Sequence, residues 1–133
     1  MQYIADQAPG KHLAPANGTL ARYQLQSWLN FISTELHKGF SPLFNPATPA
    51  DYKPQVAERL QSRLAWVNSQ LEGRPYLMGE AFSVADAYLF TVTGWAGFVK
   101  VDLTPHTHIT AHRQRVGERP AVQAALRAEG LLK

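Results

Sequence analysis

From about Asn17 onward the apolar residues Leu25, Trp28, Leu29, Ile32 and Leu36 recur at intervals of three and four, which stacks them along one stripe of an α-helix. That stripe has to face a core. Gly39 and Pro42 disturb the end of the element, and Asn45-Pro46 through Pro49 reads as a loop, because proline lacks an amide donor and restricts its predecessor. A second stripe, Val56, Leu60, Leu64, Val67 and Leu71, runs unbroken to Gly73, a residue suited to closing a helix. Tyr76-Leu77-Met78-Gly79 is short, apolar and without a strand partner in sight, so it reads as a loop.

Ser83-Val84-Ala85-Asp86 has the form of a capping box, with Asp in place of the commoner Glu. The helix it opens, through Tyr88, Leu89, Val92, Trp95 and Ala96, is apolar on more than one face and is expected at the centre of the fold. Asp102 to Pro105 forms a loop and a polar helix follows through Arg119. Pro120 then restarts the chain at a first-turn position, and Val122, Ala124, Ala125 and Leu126 complete a last helix ending at Gly130. At the other end, Pro9-Gly10 limits Met1 to Ala8 to the end of a helix, with a linker through Pro15. The expected architecture is all-α, an antiparallel helical bundle with short connections.

Composition narrows the chemistry. The 133 residues are 45% hydrophobic and 17% charged, a globular balance in a chain long enough for one core. Thirteen basic against ten acidic side chains leave a net charge of +3, and only Arg113, Arg115 and Arg119 approach a cationic cluster. No nucleic-acid surface is expected from so scattered a distribution. The chain has no cysteine, hence no disulfide, thiolate metal site or thiol nucleophile of its own. With no bilayer-length apolar run and no secretory leader, no membrane association is expected and a cytoplasmic location is the default.

The first long helix carries the best candidate site. Asn30, Thr34 and His37, spaced by four and three, form a strip opposite Ile32 and its apolar neighbours. An amide, a hydroxyl and an imidazole together suit a polar, peptide-like ligand, and an imidazole can donate to anionic sulfur. On periodicity alone the same strip is also an ordinary solvated helix face. His106, His108 and His112 invite a metal reading, but no carboxylate lies at ligand spacing and Asp102 is the one acid nearby in sequence. They are read as surface histidines and no metal is expected.

The run Tyr76-Leu77-Met78-Gly79-Glu80-Ala81-Phe82-Ser83-Val84-Ala85-Asp86 resembles the capping-box signature of the glutathione transferase C-terminal domain. Trp28-Leu29-Asn30-Phe31-Ile32-Ser33-Thr34-Glu35-Leu36-His37-Lys38-Gly39-Phe40 is similar to the bacterial beta class, as are Arg119-Pro120-Ala121-Val122 and Ala128-Glu129-Gly130-Leu131. The resemblance implies a bundle of the glutathione transferase C-terminal domain type over residues 16–133. Residues 1–15 would be the end of a thioredoxin-like domain plus the interdomain linker. That domain, with the beta-class cysteine, would lie outside this chain.

The resemblance also implies the site. Asn30, Thr34, Glu35, Leu36, His37 and Lys38 would contact glutathione, with His37 the catalytic histidine that stabilises the thiolate and Lys38 adding positive potential. Glu35 and Leu36 leave the Asn30 strip, so their contacts require the helix to be flanked by ligand or by a second subunit. Tyr88 and Trp95 would shape the pocket for a hydrophobic electrophile. Glutathione would be a co-substrate and no cofactor is expected. The chain would act as a homodimer or beside a separate thioredoxin-like domain, with Tyr3, Ile4 and Leu13 as exposed apolar groups. The alternatives are a non-catalytic helical interaction or dimerisation module, and a truncated, inactive fragment.

Overall fold

The computed structural model describes residues 1–132, and among these no strand forms. A short helix α1 (Gln2–Gln7) and a 3₁₀ turn lead to α2 (Leu20–Phe31). Without leaving helical geometry the chain then passes through a π-helical segment (Ile32–His37) into α3 (Lys38–Phe44). Helices α4 (Lys53–Gln70), α5 (Val84–Gly94), α6 (Thr107–Gly117) and α7 (Pro120–Ala128) follow, with a 3₁₀ segment (Trp95–Val99) continuing α5. Helix α4 packs on α3, the π segment and α6, while α5 lies against α2, the π segment and α6.

The apolar stripes meet as their spacing predicts. Leu25, Ile32, Leu36 and Phe40 from the first helical run are buried with Leu60, Leu64 and Val67 of α4, Leu71 at its C-terminal cap, and Val84, Ala85, Leu89 and Val92 of α5. Each fully buried leucine or phenylalanine contributes about 1.5–3 kcal/mol of transfer free energy. Helix α7 buries no residue fully and closes the bundle from outside.

Helix starts follow the local chemistry. The first long helix begins at Leu20, later than Asn17, because Thr19 caps it: the Thr19 hydroxyl accepts the Arg22 amide. Tyr76 and Gly79 close a tight turn through reciprocal backbone hydrogen bonds, as the loop reading expects. Both halves of the Ser83–Asp86 capping box form at the start of α5. Pro120 occupies the first turn of α7, and Gly130, at φ 71°, follows its end.

Arg22 makes most of the side-chain hydrogen bonds that fasten the leading segment to the bundle, with Gln26 adding one to Gln2 and Ala5 packing into the core. Arg22 is 3% exposed and holds both carboxylate oxygens of Asp6 at 2.8 Å, the side-chain oxygen of Gln2 and the carbonyl of Pro15. The hydrogen bonds from Arg22 hold the Asp6 carboxyl below the usual carboxylate range. Tyr3 and Ile4 are exposed, as expected, whereas Leu13 is half-buried against the core and its carbonyl accepts the Val84 amide at 2.9 Å. Leu13 therefore belongs to the bundle and not to an open face.

Two of the three C-terminal histidines correct the surface reading. His112 is buried and its Nε2 lies 3.0 Å from Asp86 Oδ1, an acid 26 residues distant in sequence. His106 is also buried and bonds Gln61 Oε1 at 2.7 Å. The His108 ring is only partly buried and bonds to neither of the other two. The nearby arginines are likewise occupied: Arg113 donates to the Phe90 carbonyl and the Thr93 hydroxyl, Arg115 to the Pro75 carbonyl, and Arg119 lies 3.8 Å over the Phe82 ring. No helix among the described residues is long and apolar enough to cross a membrane.

Candidate functional site

The π segment decides where the candidate side chains point. Ile32, Leu36 and Phe40 are spaced by four, and on a regular α-helix each such step overshoots the stripe by about 40°. A π turn carries more residues per revolution, so it brings all three back to the core, where none has exposed surface. Hydroxyls mark both ends of the segment. Thr34 donates to the Asn30 carbonyl at 3.0 Å and Ser41 to the His37 carbonyl at 3.2 Å, the type of back-bond that bends helices.

The strip of Asn30, Thr34 and His37 does not survive this geometry. Side chains three apart are about 60° apart on an α-helix, and the π turn opens that angle further. Thr34 lines a groove against α4, whereas His37 turns toward α5. Asn30 is exposed and lines neither space. Leu36 requires a correction of its own: the whole residue is buried in the core, so it offers no surface to a ligand.

The groove holds about 370 Å³ and is polar. Thr34, Glu35 and Lys38 form one wall, and Tyr52, Gln55 and Arg59 form the other. Arg63 Nε approaches Glu35 Oε2 to 2.7 Å and Arg59 reaches it at 3.9 Å. No N–H is aimed at that oxygen, so charge proximity holds the group more than a directed hydrogen bond does. Within the groove one carboxylate, Glu35, stands with two cations, Lys38 and Arg59, which leaves excess positive charge.

His37 stands in a different setting. Its Nδ1 lies 2.8 Å from the Tyr88 hydroxyl, and its ring meets the Trp95 ring edge to face at 4.7 Å. Beyond it opens an apolar cleft of about 590 Å³ lined by His37, Ser41, Phe44, Trp95 and Phe98. Phe44 packs edge to face on Trp95, and Phe98 is 77% exposed. Trp95 lines this cleft. Tyr88 does not line the cleft; it stands behind His37 and bonds the imidazole.

Sequence reading missed Phe44 and Phe98 in the cleft, Arg59 and Tyr52 in the groove, and the pairing of Arg63 with Glu35. A signal existed for Phe98, because residues i and i+3 of a 3₁₀ turn eclipse one another and so place it beside Trp95. The α4 residues carried none, since they meet the π segment only through tertiary packing. Neighbouring side chains His37 and Lys38 therefore serve separate spaces, one aromatic and one cationic.

Known proteins share both the sequence and the fold. The family model for the glutathione S-transferase C-terminal domain matches residues 31–120. Glutathione S-transferase GstA of Escherichia coli O157:H7 is 50% identical over 131 residues, 98% of this chain and 65% of that protein. Glutathione S-transferase GST-4.5 of Xanthomonas campestris is 33% identical over 98% of this chain and 68% of its own length. Among solved structures, a ternary complex of the bacterial transferase BphK superposes with a TM-score of 0.96 at 60% identity. The beta-class enzyme of Sphingomonas chungbukensis gives 0.94 at 41%. Both matches cover 98% of this chain and 65% of theirs. The chain therefore spans about two thirds of the length of these relatives, and it belongs to the glutathione S-transferase family, carrying the C-terminal domain in its bacterial beta-class form.

Proposed function

We propose that this chain forms one wall of a glutathione transferase centre, in which His37 donates a hydrogen bond to the anionic sulfur of glutathione beside an aromatic cleft that holds the electrophile. The observation that carries this reading is a half-buried imidazole anchored through Nδ1 at the edge of an apolar cleft. With no cysteine in the chain, the sulfur comes from glutathione. In the reaction the thiol gives up its proton to solvent water, the sulfur forms a bond to the electrophilic carbon, and the leaving group departs with the electron pair of the broken bond. A donor set beside the sulfur, at the edge of an apolar cleft, favours the thiolate at the moment of attack.

Thr34, Glu35 and Lys38, with Asn30 one turn earlier, offer polar and charged groups for the peptide part of glutathione. They face away from His37 across the helix, so the reading assigns them to the glutathione held by a second copy in a homodimer. Gripping the rest of the tripeptide falls to a thioredoxin-like domain. Glutathione is consumed as a co-substrate and no resident cofactor is required. A reduced thiol as reactant suits the cytoplasm. The structural neighbour from a sphingomonad, 47% identical with a TM-score of 0.93, is a complex with glutathione, which supports the ligand class.

The test is retention of the purified chain on immobilised glutathione, paired with conjugation of a generic aryl halide. Retention that is lost in His37→Ala supports the reading, and turnover by this chain alone is expected to be slight. Dimerisation with no glutathione retention would overturn it in favour of a helical interaction module.

A further inference from the structure

Tyr88 reaches His37 across the bundle, from α5 to the π segment, and its hydroxyl lies 2.8 Å from Nδ1. The imidazole is confined on another side by Trp95, whose ring it meets at 83°. Among the described residues no protein group bonds Nε2. One ring nitrogen is thus committed and the other left for a ligand.

A neutral imidazole has one N–H and one bare nitrogen, and the hydrogen bond made by the first nitrogen decides the state of the second. The phenolic oxygen shares its lone pair with the aromatic ring, which makes the group a better donor than acceptor. Tyr88 accordingly donates and Nδ1 accepts. The imidazole proton is then on Nε2, the nitrogen on the other edge of the ring. In the opposite arrangement Nδ1–H would donate to Tyr88, and Nε2 would turn a lone pair toward an anionic sulfur and repel it.

We propose that Tyr88 is a positioning residue that locks His37 in the Nε2–H tautomer and so presents a hydrogen-bond donor at the aromatic cleft. The assignment rests on the reading of His37 as the sulfur-stabilising group, and it replaces the role of Tyr88 as a cleft wall. Trp95 fixes the plane of the ring and Tyr88 fixes its proton. A donor held this way needs no reorganisation when the thiolate arrives.

Nitrogen-15 NMR of the histidine rings tests the assignment on the chain without glutathione, at about pH 9, where an ordinary imidazole is neutral. The expected wild-type spectrum has His37 Nε2 protonated and Nδ1 bare and hydrogen-bonded. Tyr88→Phe keeps the ring and removes only the hydroxyl, and should give a mixture of tautomers at His37 while exposed His12 is unchanged. Circular dichroism verifies that the variant is folded, and Tyr88→Leu offers a second variant with no hydrogen-bond donor should the first unfold. An Nδ1–H form in the wild type, or a tautomer indifferent to loss of the hydroxyl in a folded variant, overturns the proposal. Because the measurement needs no ligand, a chain that fails to bind glutathione leaves the tautomer result standing, and the two readings fail separately.

Discussion

Asp86 has no exposed surface and receives four hydrogen bonds on two oxygens. Oδ1 accepts from the Leu77 amide at 2.8 Å and from His112 Nε2 at 3.0 Å, while Oδ2 accepts from the Ser83 amide at 2.8 Å and the Ser83 hydroxyl at 2.9 Å. The carboxylate thus joins the turn before α5, the cap of α5 and the middle of α6. Removing it strands all four donors in the interior, where each unpaired group costs about 1–3 kcal/mol, less than additively. Asp86→Ala should therefore lower stability by about 3–5 kcal/mol, read as a fall in the urea midpoint. His112→Ala should cost less, since Asp86 keeps three donors. Spacing alone revealed the Ser83–Asp86 half of this arrangement, because a capping box is local. Leu77 and His112 lie 9 and 26 residues from Asp86, and no periodicity encodes such contacts.

Helix existence and order were legible because each core stripe repeats at helical spacing. The π segment was not, since Ile32, Leu36 and Phe40 at intervals of four suit an α-helix nearly as well. That single difference separates Thr34 from His37, and it is why residues adjacent in sequence line two spaces. Attachment of α1 was hidden for a related reason: nothing near Arg22 in sequence announces that its guanidinium will reach back to Asp6. This attachment is testable apart from the core. Arg22→Ala removes every side-chain bond from α2 to Asp6 and Pro15, so amide exchange in α1 should quicken about tenfold or more, with α4 and α5 little changed. The Asp6 carboxyl is held below its ordinary range. The attachment should therefore be intact at neutral pH and weaken only as the pH falls through that depressed value.

At the scale of the molecule, the long antiparallel helices are joined by side chains that act as caps and clamps for one another. Helix α6 has no side-chain cap from its own sequence. Instead Asn68 of α4 supplies an oxygen to the amides of His108 and Ile109 at 2.9 and 3.1 Å. Close by, Gln61 donates to the Asp102 carbonyl and accepts from His106 Nε2, which clamps the start of α6 to α4. The cationic form of His106 is disfavoured by burial, and the nearby Asp102 carboxylate offsets this only in part, so its pKa lies below the ordinary histidine value. The sign follows from linkage. Above the ordinary value, near pH 6.5, neither folded nor unfolded His106 binds a proton and the clamp contributes in full. Between that value and the lower folded one, the unfolded chain takes the proton first, so stability falls with falling pH. Below the folded value both states are protonated and the dependence on this residue ends. Urea midpoints of the wild type and His106→Gln at pH 8 and pH 5 isolate the effect, because other titrating groups are common to both proteins. The wild type should lose stability relative to the variant on acidification, and a constant difference between the two would place the clamp's strength in packing and not in the charge state of the ring.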